Sequence, residues 1–258
     1  MAAHGFARAR MAGRRMFGGA LAPVNQKGSI VSTIAKSLRH ALARALLPPT
    51  CCLCGARGDA ADLDLCEVCV NVLPMNPPPG GTSPLFARTL VRVLVPFHYA
   101  YPVDHWIRAL KFEGERVYAR VLGALLANAF RALRQPPPAV IVPIPLHAQR
   151  YRERGFNQAY ELAKFAAAPL GVPVDSRCLV RKIPTLEQSS LSPAQRRKNV
   201  RGAFTVVRPV AAERVALLDD VLTTGSTALA AAQALLAAGV REVELWAVAR
   251  VAPSSLPR

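Results

Sequence analysis

The chain has 258 residues, with 33 Lys and Arg against 16 Asp and Glu, 52% hydrophobic residues and six Cys. That composition supports a buried core and excludes a disordered tail. Mean hydropathy is +0.21, yet no stretch approaches the roughly 18 uninterrupted apolar residues a membrane span needs.

The formal charge of +17 is uneven, since residues 1–50 hold eight Lys and Arg and no Asp or Glu. Such a balance favours anionic partners, while the arginine bias of a GC-rich genome accounts for it equally well. Residues 1–28 mix Gly, Ala, Arg and Met without periodicity and read as disordered. The run from Arg14 to Leu21 has a faint twin-arginine character, but its apolar core is short and broken by Gly and Pro. Export is therefore not expected, and a transit peptide or an early start codon are the remaining readings. Ile30, Ile34, Leu38, Leu42 and Leu46 then follow helical spacing, with Lys36, Arg39, His40 and Arg44 on the other face and Pro48-Pro49 as the stop. Residues 1–46 form a basic extension whose helix is expected to dock on its own domain.

Five of the six Cys lie between Cys51 and Cys69, an arrangement unlike the disulfide framework of a secreted chain and suited to a reducing compartment, the cytoplasm. Cys51-x2-Cys54 and Cys66-x2-Cys69 are separated by eleven residues, and four thiolates so spaced suit tetrahedral Zn²⁺. So small a segment does not hold together by burial alone. A redox pair is the competing reading, less favoured because there are two pairs outside a thioredoxin context. Cys52 is spare, and Cys178 reads as a core residue. The metal is expected to be structural, since four protein ligands leave no open position. A zinc ribbon over residues 47–76 is the resulting expectation.

The Pro/Gly-rich run from Asn76 to Pro84 marks a boundary, so residues 77–100 form a linker and a strand. A strand is expected at 92–99, helices at 103–112 and 116–134, strands at 139–144, 203–207, 214–218 and 242–250, and helices at 156–168 and 226–238. Strands interleaved with helices imply an α/β domain with a parallel sheet over residues 101–252.

The strongest motif runs from Val215 to Thr227, where an apolar strand ends in Asp219 and Asp220 and a small, hydroxyl-rich turn, Val221, Leu222, Thr223, Thr224, Gly225, Ser226 and Thr227, opens an Ala-rich helix. Carboxyl ends of parallel strands line the ligand crevice of such sheets. The turn and the helix N-terminus suit a phosphate dianion, and no Gly-Lys-Ser/Thr ending makes it a Walker A loop. It resembles the phosphoribosyl pyrophosphate loop of type I phosphoribosyltransferases, which implies that the two acids hold the ribose 2- and 3-hydroxyls and the Thr-Thr-Gly-x-Thr turn holds the 5-phosphate. A second loop follows the strand at 139–144. There the backbone of Leu146, His147 and Ala148 is expected to face the pyrophosphate, with Arg150, Arg152 or Arg154 neutralising it and His147 positioning rather than moving protons. Read alone, the Arg run is equally a solvated surface.

Pro143-Ile144-Pro145-Leu146-His147, then Arg154-Gly155-Phe156-Asn157-Gln158-Ala159, then the series Thr185, Gln188, Leu191, Arg196, Asn199, Ala203 and Phe204, and finally the Asp219–Thr227 loop are similar to the ComF family of phosphoribosyltransferase-like proteins. The resemblance runs from Leu47 to about Ala249 and includes an amino-terminal four-Cys module. It implies a type I phosphoribosyltransferase-like parallel sheet flanked by helices, a small zinc ribbon, and a link to natural competence and DNA uptake. Lys111 matches a Lys typical of the family, without a role that the residues reveal. The stretch from Arg181 to Arg201 falls where related enzymes carry a loop that closes over the site, or it touches a nucleic-acid backbone.

The resulting expectation is transfer of phosphoribosyl from phosphoribosyl pyrophosphate with Mg²⁺ to an unknown acceptor, releasing pyrophosphate. From a different class, the alternative is a non-enzymatic competence factor that binds single-stranded DNA, works with the competence machinery and keeps the phosphoribosyl site as a sensor. Only 6% of residues are aromatic and none alternate near the Arg runs, so the stacking platform of such a binder is not visible.

Overall fold

Five parallel strands form the centre of the computed structural model, which describes residues 50–58, 63–76, 86–182 and 202–252. These residues belong to one compact unit, Pro49–Arg258. The helix expected at 30–46, most of the Pro/Gly-rich run and residues 183–201 of the expected closing loop lie outside the described residues. In chain order the elements are α1 (Glu67–Asn71), β1 (Arg92–Leu94), β2 (Phe97–His98), α2 (Val103–Arg108), a π-helical turn (Ala109–Glu113), α3 (Val117–Ala132), β3 (Val140–Pro143), α4 (Ala148–Arg154), α5 (Gln158–Ala167), β4 (Leu179–Arg181), β5 (Phe204–Val206), β6 (Arg214–Leu222), α6 (Ser226–Ala237) and β7 (Glu242–Arg250).

The sheet order is β1-β7-β6-β3, with β2 continuing along the edge of β7 after Val95 and Pro96 interrupt the pairing. Antiparallel β4 and β5 form a separate two-stranded sheet. Strand alternation divides the apolar residues between two cores, one on each face of the sheet. Val215 and Leu217 of β6 join Leu245 and Ala247 of β7 beside α6, while Ala216 and Leu218 join Trp246 and Val248 against α3 and α5. The second core also takes in Leu63, Leu65 and Leu73, so the cysteine-bearing segment shares its apolar packing with the sheet domain. Arg120 of α3 adds an ion pair to Asp64 at 2.5 Å.

Helices α3 and α5 approach closely because Gly123 has no side chain. A Cβ there would lie 2.7 Å from Phe165 Cβ and 2.8 Å from the Leu162 carbonyl oxygen. The parallel α/β sheet flanked by helices, with a four-Cys module on its amino-terminal side, is the fold class expected from the sequence.

Several boundaries differ from expectation for local reasons. The run 92–99 breaks in two at Pro96, whose ring removes a ladder donor. The helix expected over 103–112 widens at Ala109 into a π turn, closed by Gly114 in the left-handed region. Residues 148–154, expected as loop, form a helix. Their Gln, Arg and Glu are good helix formers, His147 accepts a hydrogen bond from the Gln149 amide at 3.3 Å, and Gly155 ends the helix at φ +79°. Among the described residues no helix is long and apolar enough to cross a membrane.

Candidate functional site

The carboxyl ends of β3 and β6, the start of α6, the π turn and α4 surround a cavity of about 360 Å³. Strand β6 runs through both acids to Leu222 and keeps its register with β7, so Asp219 sits opposite Ala247 and Val221 opposite Ala249. Both acids line the cavity together with Val221, Thr223, Gly225 and Thr227 from the turn, and Leu146, Arg150 and Arg154 from the segment after β3. Thr224 and Ser226 do not line it. Their hydroxyls lie 2.5 Å apart and brace the turn from within. His147 is likewise turned away, its Nδ1 capping α4.

Gly225 is the pivot of the turn. It sits at φ +77°, and a Cβ there would meet two ring carbons of Phe86 at 2.5 Å. As the residue before α6 it offers no side-chain cap, and the Ser226 amide donates to Thr224 Oγ1 at 3.4 Å.

Four further polar side chains line the cavity: Lys111, Tyr99, Gln158 and Arg181. Lys111 descends from the π turn and pairs through Nζ with Asp220 Oδ2. Gln158, buried at the start of α5, donates from Nε2 to Asp220 Oδ1 at 3.5 Å and accepts from Arg154 Nη1 at 2.5 Å. Asn157 just before it caps α5 through Oδ1 and donates from Nδ2 to the Ile144 carbonyl at 3.1 Å, tying that helix to the end of β3. Asn157, Gln158 and Lys111 have a signal in the sequence, as matches to the family pattern, but none of them is given a role there. Tyr99 enters through tertiary placement alone.

The two acids differ electrically. Burial raises Asp219 well above the ordinary carboxylate value, and the neighbouring Asp220 charge adds to the effect. Burial opposes ionisation of Asp220 as well, but the Lys111 ammonium and the hydrogen bonds from Asp219, Lys111 and Gln158 hold it below the ordinary value. With Lys111, Arg150, Arg154 and Arg181 facing two carboxylates, the cavity suits a polyanion that also carries hydroxyls.

The second centre is the cysteine cluster. The sulfur atoms of Cys51, Cys54, Cys66 and Cys69 all lie within 4.8 Å of one another, and those of Cys54 and Cys66 are 3.7 Å apart. Tetrahedral zinc with bonds of about 2.3 Å requires sulfur separations of about 3.8 Å, so the four residues fit the ion. The first knuckle is shaped by the Gly55 amide donating to the Cys51 carbonyl at 2.9 Å and the Cys51 amide to the Ala56 carbonyl at 2.7 Å. Burial opposes a Cys51 thiolate, yet backbone hydrogen bonds at Cys54, Cys66 and Leu53 outweigh it and bring the thiol to about 6. Burial and the adjacent thiols push Cys69 upward, a crowding that a dication relieves. Cys52 stands outside the cluster, its thiol pushed up by burial to about 11. Cys178 is fully buried in the core on the α6 face.

No protein-family model matches the chain. It is 31% identical over 222 residues to DNA utilization protein YhgH of Salmonella typhi, spanning 79% of this chain and 98% of that protein. It is 34% identical over 160 residues to competence protein F of Haemophilus influenzae, spanning 59% and 70%, and 31% identical over 129 residues to competence protein ComFC of Bacillus subtilis, spanning 50% and 51%. Among solved structures, a purine phosphoribosyltransferase from Pyrococcus horikoshii overlays 50% of this chain and 80% of its own at 16% identity and a TM-score of 0.31. A glutamine phosphoribosylpyrophosphate amidotransferase from B. subtilis overlays 50% and 25% at 21% identity and the same score. Overlays at that score are too loose to fix a fold or a function. The sequence relatives are the stronger finding, and by them the chain belongs to the ComF family of competence and DNA-utilization proteins.

Proposed function

We propose that the cavity binds phosphoribosyl pyrophosphate and transfers its phosphoribosyl group to an acceptor not yet identified. The observation that carries this reading is the acidic pair at the end of β6, set between the turn into α6 and a group of cations. In this reading the pair Asp219 and Asp220 faces the ribose diol, the amides of 223–227 hold the 5-phosphate, and Arg150 and Arg154 meet the pyrophosphate. The bond from C1 to the pyrophosphate oxygen breaks with its electrons leaving on pyrophosphate. The acceptor then bonds to C1 and gives up a proton. The ionised carboxylate of the pair, Asp220, favours the positive charge that develops at C1.

Neither carboxylate is arranged as part of an all-protein Mg²⁺ cage, since Asp220 is already paired with Lys111. Mg²⁺ therefore fits as an ion carried by the donor's phosphates, where it would neutralise leaving-group charge. Asp219→Asn with Asp220→Asn should abolish donor binding in calorimetry while leaving the far-ultraviolet circular dichroism spectrum unchanged. Retained binding sinks the assignment.

The names of the relatives and the charge of +17 support a role in handling DNA in the cytoplasm, beside competence-machinery proteins. In the second reading, the chain is a single-stranded-DNA-binding factor that uses the same cavity as a sensor. Filter binding separates the two. Tight DNA binding with a steep salt slope and no pyrophosphate release favours the factor, and pyrophosphate release on adding an acceptor favours the transferase.

A further inference from the structure

Asp219 and Asp220 are adjacent in sequence and both line the cavity, but they differ in their partners. Asp219 accepts the Asp220 amide on Oδ1 at 2.9 Å, whereas the Asp220 carboxylate is met by the π turn and α5. There Asp220 is only 3% exposed, with Lys111 on one oxygen and Gln158 on the other. Gln158 holds Arg154, and the Arg154 guanidinium lies over the ring of Phe112, 5.7 Å from its centroid. Phe112 follows Lys111 on the π turn, so these five side chains close a ring that begins and ends on one turn of backbone. A π turn inserts a residue at the expense of regular hydrogen bonding and recurs at functional sites. Here it aims Lys111 inward and Phe112 under the arginine.

We propose that Lys111 is a donor-binding residue and that Asp220 acts through it, as the anchor of an ion-paired arm, while Asp219 is the acid that meets the ribose diol directly. This rests on the sugar-phosphate reading of the cavity and deepens it. An ammonium has three N–H groups, and one carboxylate oxygen takes only one of them. The Lys111 side chain is 20% exposed and lines the cavity, so the other N–H groups are available to an oxygen of the bound sugar phosphate. The ring further couples this arm to Arg154, so that the group holding the ribose and the group holding the pyrophosphate are set by one turn.

The test compares wild type, Lys111→Met, Asp220→Asn and the double variant for thermal stability and for affinity toward phosphoribosyl pyrophosphate with Mg²⁺. Each single change leaves a buried partner uncompensated and should lower Tm, whereas the double change removes both charges and should restore it. Donor affinity should stay at least about tenfold reduced in the double variant, the loss expected of one charge-assisted contact. A double variant that binds the donor as wild type does makes the pair purely structural and overturns the proposal. So does a Lys111→Met protein with unchanged affinity. If wild type itself binds no donor, the sugar-phosphate reading fails and the proposal goes with it, an outcome distinct from the other two.

Discussion

The cysteine module and the acid-bearing cavity are built by opposite strategies. In the module, all four candidate ligands come from two short repeats within nineteen residues of chain, and each knuckle is shaped by its own backbone hydrogen bonds. In the cavity, residues from the edge of β2 to the end of β7 converge, and the electrical state of each acid depends on side chains far away in sequence. Local chemistry is enough to recognise the first kind of site. The second is recognisable only where a strand end and its turn happen to be contiguous.

The largest effect should come from breaking the local site. Cys66→Ser with Cys69→Ser removes half of the sulfur cage, and structural zinc supplies about 10–16 kcal/mol of apparent binding energy in small metal modules. Elemental analysis should fall from one zinc per chain to none, and amide exchange should lose its protection over residues 63–73. Zinc retained in full would rule out the cluster as its site. The damage should also reach α3, because Leu65 and the Asp64–Arg120 pair connect the module to the sheet domain.

A smaller effect is expected at the turn of the distributed site. Gly225→Ala places a methyl group against the Phe86 ring in a left-handed backbone, a strain of about 1–3 kcal/mol. Stability should drop by that amount in urea melts, and donor affinity should drop with it because the amides of the turn lose their aim. An unchanged midpoint would mean that the turn adapts and that its shape is not what the glycine protects.

The smallest effect sharpens the contrast between the acids. The folded state raises the Asp219 value, so the native protein holds a proton there that the unfolded chain releases, and this contribution to stability falls as pH rises above the ordinary carboxylate range. Asp219→Asn should therefore be slightly more stable than wild type at pH 7, with the advantage vanishing near pH 4. For Asp220, held below the ordinary value by Lys111, the sign reverses: its contribution is present at neutral pH and is lost as pH falls through the depressed value. Melting curves of the two single variants against pH should diverge in opposite directions. Parallel profiles would show that the two acids share one environment.

Much of the architecture is legible in the order of residues. Apolar alternation and the strand-helix succession announce a parallel sheet, and β7 matches its expected limits of 242 and 250. The break at Pro96 and the helix at 148–154 are not legible in the same way, because each depends on a choice that single-residue preference leaves open. An edge strand tolerates proline only by interrupting its pairing, and a basic run folds as helix once a cap and a terminating glycine flank it.

Residue order by itself determined the four-sulfur cage, the paired acids and the glycine turn, because these need only neighbours along the chain and a strand to carry them. Tertiary structure decided which acid meets which partner. Both carboxylates line the cavity, and only the packing of the π turn and α5 brings Lys111 and Gln158 to Asp220 rather than to Asp219. Charge is felt over a few ångströms of space regardless of the number of residues between, so no spacing rule along the chain contains that pairing.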